Sequence, residues 1–224
     1  MNGSNHNPVE GVGLVVRGLH KSFAGEAVLR GIDFTVKPGE ILINGEPVTR
    51  PEVAAKYRMA FVFQSGALLN SLTVGENVGL YLTEHRLKTA DEITKIVAEK
   101  LADVGLKDEL DKMPSELSGG MKKRAAIARA LVIEPQLIFY DEPTSELDPL
   151  SAVVIGNEIL ELNQRIHVTS LVVTHDRDLA FGVADRIAVM AEGRIVTIGT
   201  PDEVKHCNDP RVQQFLHAGL QREK

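Results

Sequence analysis

The chain has 224 residues, of which 43% are hydrophobic and 25% charged, the usual balance of a folded globular domain. Its formal net charge of −6 argues against nucleic-acid binding, because contacts with phosphate groups need a basic face. The single cysteine, Cys207, excludes an internal disulfide. There is no apolar run of about 18 residues, and residues 1–10 lack a signal-peptide core, so we expect any membrane role to depend on a partner.

The first half of the chain predicts a tail, several strands and a helical insertion. Residues 1–12 are polar and rich in Asn, Gly and Pro, and we expect a flexible tail there. β-branched and alternating apolar residues predict strands at residues 14–19, 27–36, 41–46 and 59–63. Apolar residues at helical spacing, including Ile93, Val97 and Leu101, predict a helical subdomain over about residues 70–117.

The second half alternates between predicted helices and strands. A helix is expected from Ser118, followed by a strand at 137–140, a helix at 149–162, a strand at 169–173, a helix at 177–184 and strands at 187–190 and 194–198. This alternation favours a mostly parallel sheet with helices on its faces. We therefore predict a single α/β domain over residues 13–224.

Two adjacent carboxylates follow a buried strand. Asp141 and Glu142 come directly after the apolar run at 137–140, at the strand end where open α/β sheets bind ligands. Side chains alternate along a strand, so one carboxylate can hold Mg²⁺ while the other deprotonates water. A solvated acidic strand end is the simpler alternative, but Pro143-Thr144 and the Leu-Asp-Pro at 147–149 favour a site.

Glycines at a predicted helix start form a second candidate site. Ser118, Gly119 and Gly120 precede a helix with Lys122, Lys123 and Arg124 in its first turns. The unpaired N–H groups and the positive end of such a helix attract an anion, and glycine allows a phosphate to approach closely. Ser118 could equally be only the N-cap, which is the commonest role of serine at this position.

Taken together, these motifs resemble the ATP-binding cassette (ABC) ATPases from Leu14 onward. The resemblance implies a P-loop NTPase-like fold, namely a mostly parallel sheet with an antiparallel β subdomain and an inserted α-helical subdomain. The run LSGGM at 117–121 resembles the signature motif, residues 137–141 the Walker B strand, and residues 145–148 the D-loop. ATP and Mg²⁺ are the implied cofactors.

The resemblance also implies a role for each matching position. Asp141 and Gln64 would hold Mg²⁺. Glu142 would be the catalytic base, and His175 would sense the γ-phosphate. The nucleotide-binding positions would be Phe23, Gln64, Ser118, Gly119, Gly120 and Asp148.

Simpler interpretations stay open at several of these positions. His175 could be a structural histidine at a strand end, Gln64 an ordinary polar loop residue, and Phe23 a plain core side chain. Glu146 departs from the family pattern, because a small residue is usual at this point of the D-loop. A glutamate there could weaken the closure of two cassettes on each other.

A narrower resemblance concerns the Mla-type cassette ATPases, which energise lipid movement. It is carried by the run FQSGAL at 63–68, by Met121 at the end of the signature, and by the C-terminal segment 209–216. It implies a transmembrane permease, a homodimer of cassettes, a possible lipid-binding MCE-domain partner, and a cytoplasmic location on the inner membrane. The alternatives are a non-catalytic (pseudo-ATPase) subunit and a soluble, non-transport ABC ATPase.

The family's phosphate loop, G-x-x-x-x-G-K-[S/T], is absent from the sequence. The Pro38-Gly39-Glu40 turn leads directly to a strand and Asn44-Gly45, where relatives have a central strand, the phosphate loop and a helix between two such turns. A strand–loop–helix unit of about 30 residues is therefore missing. An internal deletion or gene-model error, an omitted segment, and a natural pseudo-ATPase would each explain the gap. Loss of the central strand predicts exposed apolar faces and unpaired strand edges.

Overall fold

The computed structural model describes residues 14–23, 26–37, 40–43, 45–191 and 194–217, with side chains from residue 42 onward except at positions 54 and 194. Two compact units divide the chain: residues 1–53 with 185–224 form one, and residues 54–184 form the other. In chain order the elements are β1 (Leu14–Phe23), β2 (Glu26–Lys37), β3 (Glu40–Ile43), β4 (Glu46–Pro47), α1 (Pro51–Lys56), β5 (Met59–Val62), α2 (Val74–Glu84), α3 (Ala90–Asp103), a 3-10 helix (Pro114–Glu116), α4 (Gly119–Leu131), β6 (Leu137–Asp141), α5 (Pro149–Ile166), β7 (Thr169–Val173), α6 (Arg177–Val183), β8 (Ile187–Ala191), β9 (Arg194–Gly199), α7 (Pro201–Lys205) and α8 (Pro210–His217).

The first unit is antiparallel. Its sheet runs in the order β1-β2-β3-β4, and β8 pairs with β9 in a separate two-stranded sheet. Lys37 lies opposite Glu40 and Val36 opposite Ile41, so β2 and β3 are directly paired antiparallel strands at the point where the family resemblance implies the phosphate-loop unit.

The second unit contains the parallel sheet, in the order β5-β6-β7. Val62, Ile138 and Tyr140 point to one face and are almost fully buried. They belong to a core cluster that also includes Ile127 of α4 and Ile155 of α5. The described sheets thus confirm the α/β class, with parallel pairing in this unit and antiparallel pairing in the other.

The opposite face of this parallel sheet is partly exposed, whereas the sequence predicted that helices cover both faces. Phe61 of β5 and Val173 of β7 are 53% and 54% exposed. Strand alternation reveals that a strand has two apolar faces, but it does not reveal whether both are covered. The exposure agrees with the apolar surface expected from loss of a central strand.

The helical insertion consists of α2, α3 and the 3-10 helix. Thr73 and Thr89 begin α2 and α3 with capping boxes, in which the threonine and a glutamate three residues later exchange hydrogen bonds with backbone N–H groups. Val97 and Leu101 of α3 are buried, as the helical spacing predicts. The short helices α1 and α7 were not expected from the sequence.

Among the described residues, none of the helices combines the length and apolarity required to cross a bilayer.

Candidate functional site

The chain makes a strained turn where β6 ends. Asp141, the last residue of the strand, is exposed, and Glu142 adopts a left-handed backbone with φ of 46°. The N–H of Glu142 donates to the carbonyl oxygen of Val173 at 2.9 Å, which ties the turn to the end of β7. A left-handed conformation costs a non-glycine residue about 1–2 kcal/mol, so this turn stores strain beside the two carboxylates.

Glu142 and His175, two residues predicted for catalysis, are in direct contact. The His175 Nδ1 lies 2.9 Å from Glu142 Oε2, and the His175 backbone N–H donates to Oε1 at 3.1 Å. The Thr174 hydroxyl also donates to Oε2, at 3.3 Å. The hydrogen bond to Glu142, and then its negative charge, raise the pKa of His175. Three donors thus orient the Glu142 carboxylate. The His175 side chain is 80% exposed to solvent, so a ligand could reach it.

Asp176 links the loops that follow β6 and β7. The Thr144 hydroxyl donates to Asp176 Oδ2 at 3.0 Å. The other oxygen, Oδ1, accepts from the N–H groups of Asp178 and Leu179 and caps α6. This arrangement fixes the position of Glu142 relative to His175 through a second contact between their loops.

From the sequence Lys123 is only one of three basic residues in the first turns of α4, yet in the structure it joins two of the predicted site segments. Its side chain projects from α4, is only 6% exposed, and donates through Nζ to the carbonyl oxygen of Gln64. The same Nζ donates to the carbonyl oxygen of Glu142 at 3.2 Å and to Ser145 Oγ at 3.3 Å. Burial lowers the pKa of Lys123. A buried amine therefore fastens the Gln64 loop to the strained turn after β6.

Arg129 of α4 holds the next residues of the Gln64 loop. Its guanidinium donates to the carbonyl oxygens of Ala67 at 2.6 Å and Gly66 at 2.7 Å. Both loop residues have positive φ, 72° at Gly66 and 46° at Ala67. Two parallel donors from one planar group fix this turn rigidly, and the Gln64 side chain itself is exposed.

Ser118 is the N-cap of α4, since its Oγ accepts from the N–H of Met121 at 3.3 Å. A Cβ placed on Gly119 or Gly120 would lie 3.3 Å from Leu147 or 3.6 Å from Ser151. The signature glycines therefore lie beside the D-loop of the same chain, and their role in ATP binding stays a prediction.

Asp148 begins α5 as its N-cap. One carboxylate oxygen accepts from the N–H groups of Leu150 and Ser151, both at 3.0 Å, and the other accepts from the Ser151 hydroxyl. These hydrogen bonds to Ser151 lower the pKa of Asp148. The Asp148 carboxylate is exposed, and its hydrogen bonds to the first turn of α5 fix its orientation.

The predicted metal site and adenine contact are less complete. Gln64 follows β5, Asp141 ends the neighbouring strand β6, and both side chains are exposed. In the described part of the chain, no group of three or more His, Cys, Asp or Glu side chains could hold a metal ion. Phe23 ends β1 opposite Glu26, and its side chain lies outside the described portion.

Comparison with known proteins agrees with the motifs. The sequence profile of the family described as ABC transporter matches residues 26–145. The chain is 41% identical over 195 residues to the intermembrane phospholipid transport system ATP-binding protein MlaF of Escherichia coli K12, covering 84% of this chain and 72% of that protein. MlaF of Haemophilus influenzae is 40% identical over 182 residues, covering 80% and 69%.

A third relative carries a different name. The probable ribonucleotide transport ATP-binding protein mkl of Mycobacterium tuberculosis H37Rv is 33% identical over 240 residues, covering 92% of this chain and 67% of that protein. The profile spans more than half of the chain, and each relative shares at least 33% identity with most of it. This chain therefore belongs to the ABC transporter family, among its ATP-binding subunits.

Proposed function

We propose that this chain is the ATP-binding subunit of a transporter that moves phospholipid or another lipid across or between membranes. The observation that carries this proposal is the 41% identity to a phospholipid transport ATP-binding protein. The protein named for ribonucleotide transport shares only 33% identity, so a ribonucleotide is the less favoured candidate substrate.

The anchored Gln64 loop supports coupling to a membrane partner. Lys123 binds the Gln64 carbonyl and the Glu142 carbonyl with one amine, so displacement of the loop is transmitted to the backbone of the catalytic turn. A transmembrane permease pressing on this loop would thereby shift Glu142 relative to His175. The further proposed partners are a second cassette in a homodimer and an MCE-domain lipid-binding protein, with the chain peripheral on the cytoplasmic side of the inner membrane.

The retained residues suit one part of the ATP reaction. Magnesium prefers one or two carboxylates together with phosphate oxygens, so exposed Asp141 and Gln64 fit an ion that arrives with the nucleotide. That ion would neutralise charge on the phosphates. Glu142, held by His175 and Thr174, would accept the proton of the attacking water.

The sequence lacks the phosphate loop that would bind the β- and γ-phosphates of ATP. The G-x-x-x-x-G-K-[S/T] pattern is absent from it, and Lys37 of β2 lies opposite Glu40 of β3. A missing strand–loop–helix unit of about 30 residues at this point would account for both observations. We therefore expect the chain as it stands to bind ATP poorly when alone. An intact mass of 24.4 kDa would confirm that the protein itself lacks the unit, and a mass about 3 kDa higher would show an omitted segment.

Purification from native membranes tests the transport assignment. A tagged chain should bring down a transmembrane permease, identified by mass spectrometry. Leu69, which is exposed in the Gln64 loop, provides the disruptive variant Leu69→Glu, and exposed Leu87, between α2 and α3, provides the control Leu87→Glu. We expect the first variant to lose the permease and the second to keep it. Recovery of ribosomes or nucleic acid without a permease would contradict the proposal.

A further inference from the structure

The buried face of α5 carries a glutamate that has no part in the proposed catalytic site. Ile155, Ile159 and Leu162 lie on this face and are at most 1% exposed. Glu158 is half-buried and lies one helical turn from both Ile155 and Leu162, at the edge of the same face. A charge in this position loses much of its hydration, so the neutral carboxylic acid is favoured.

The groups that face Glu158 include charges of both signs. Burial raises the pKa of Glu158 to about 7, the positive charge of Arg124 on α4 opposes the rise, Glu161 adds to it, and Arg165 opposes it. On β6, burial raises the pKa of the Tyr140 hydroxyl, and the charge of Glu158 adds to that rise. Glu158 therefore changes its charge close to neutral pH, within reach of two arginines.

Arg124 binds the C-terminal end of α3. Its Nη1 donates to the carbonyl oxygen of Val104 at 3.0 Å and to that of Gly105 at 3.4 Å. Gly105 has a φ of 65°, and a Cβ placed on it would lie 3.1 Å from the same Nη1. The guanidinium thus packs directly against the turn that ends α3, where helix carbonyls lack intrahelical partners.

The turn that ends α3 is closed by two backbone hydrogen bonds. The N–H of Leu106 donates to the carbonyl oxygen of Leu101 at 2.7 Å, and the N–H of Gly105 donates to that of Ala102 at 3.0 Å. These two hydrogen bonds form a Schellman motif, and Leu101 and Leu106 are buried beneath it. The amides of Gly105 and Leu106 therefore report whether the turn is closed.

Arg165 makes a second contact with α3. Its Nη1 lies 3.1 Å from Asp103 Oδ1, and Lys100 Nζ lies 3.6 Å from the other oxygen of that carboxylate. Arg124 and Arg165 thus connect the same end of α3 to α4 and α5, and the charge of each acts on Glu158. An ionised Glu158 would compete with α3 for both guanidinium groups.

We propose that Glu158, Arg124 and Arg165 form a proton-controlled latch that fastens the end of α3 to α4 and α5. With Glu158 neutral, Arg124 binds the α3 carbonyls, Arg165 binds Asp103, and the latch is closed. Ionisation of Glu158 attracts the two guanidinium groups to its carboxylate and loosens the turn that ends α3. A rise in pH toward neutrality thereby loosens the attachment of the helical insertion. The proposal goes beyond the transport assignment and does not depend on it.

Two NMR measurements on the full chain test the latch. Carbon-13 spectra of the glutamate carboxyl groups should give a titration midpoint near 7 for Glu158, identified by its loss in Glu158→Gln. Because folding raises this pKa, the stabilisation by protonated Glu158 is lost as the pH rises from about 4.5 to about 7. Hydrogen exchange at Gly105 and Leu106, corrected for its intrinsic pH dependence, should show protection that falls about tenfold or more between about pH 5 and pH 7.5.

Variants assign this pH dependence to the latch. Glu158→Gln and Glu158→Leu remove the ionisable group, so the protection should stay high at both pH values. Glu161→Gln changes an exposed glutamate on the same helix and should keep the pH dependence. Arg124→Gln removes the donor to the α3 carbonyls and should lower the protection already at about pH 5. Circular dichroism checks that each variant is folded, and the second Glu158 variant replaces the first if glutamine prevents folding.

Three results would overturn the proposal. The first is an ordinary titration midpoint for Glu158, near 4.5. The second is a pH dependence of protection at Gly105 and Leu106 that both Glu158 variants retain. The third is protection that increases as Glu158 ionises, which would mean that the carboxylate strengthens the attachment of α3.

Discussion

Replacing Lys123 with methionine should destabilise the second unit by about 2 kcal/mol. The amine makes hydrogen bonds to the carbonyl oxygens of Gln64 and Glu142 and to Ser145 Oγ. A hydrogen bond to a charged group contributes about 1.5–3 kcal/mol, and three of them would exceed the expected value. Part of that gain is offset because the amine is 6% exposed, and burial of a charge is costly. Methionine restores the apolar length of the side chain but none of its donors.

Chemical denaturation of wild type and variant measures this change, with Lys122→Met as the matched control. Lys122 is the preceding residue on α4 and makes none of these hydrogen bonds, so its variant should stay within about 0.5 kcal/mol of wild type. For a chain of this size, about 2 kcal/mol corresponds to a fall in Tm of about 4–8 °C. Hydrogen exchange should also accelerate at residues 64–68. Equal stability of the two variants would refute the anchoring role of Lys123.

Three further predictions follow from the same loops. The pKa of His175, measured by NMR, should lie above its ordinary value of 6.5, and it should fall in Glu142→Gln but not in Glu146→Gln. Because folding raises this pKa, the exposed His175–Glu142 pair stabilises the fold slightly below pH 6.5, and this contribution is lost as the pH rises through the raised pKa. Gly66→Ala should cost about 1–2 kcal/mol in urea denaturation, because φ is 72° and the new Cβ would lie 3.3 Å from a backbone oxygen; an unchanged midpoint would contradict that geometry. Arg129→Leu should speed hydrogen exchange in the Gln64 loop, since it removes two short hydrogen bonds, and exchange equal to wild type would show that the loop holds itself.

The sequence predicted the parts of the fold whose signals are local. The strand and helix that carry Asp141 and Ser118 lie within a residue or two of their expected positions, because apolar runs and N-cap residues mark them directly. The roles of Glu142 and His175 stay predictions from the family resemblance, and their contact, with His175 Nδ1 2.9 Å from Glu142 Oε2, is a finding of the structure alone.

Other features could not be predicted because they depend on contacts between distant segments. Lys123 and Arg129 bind backbone carbonyls about 60 residues away, and a carbonyl leaves no mark in the sequence that would point to its donor. Their only signal was a positively charged side chain on an otherwise alanine-rich helix face. The exposure of Phe61 could not be predicted from strand alternation, because alternation shows which residues share a face but not what packs against that face.

ATP binding by the purified chain tests most directly whether the retained residues suffice without a phosphate loop. We expect isothermal titration calorimetry with MgATP to give no saturable binding below about 1 mM, because the groups that hold the β- and γ-phosphates are missing. The same chain with a phosphate-loop strand–loop–helix unit of about 30 residues inserted between Gly39 and Glu40 should bind in the micromolar range. Micromolar affinity of the unmodified chain would contradict the account.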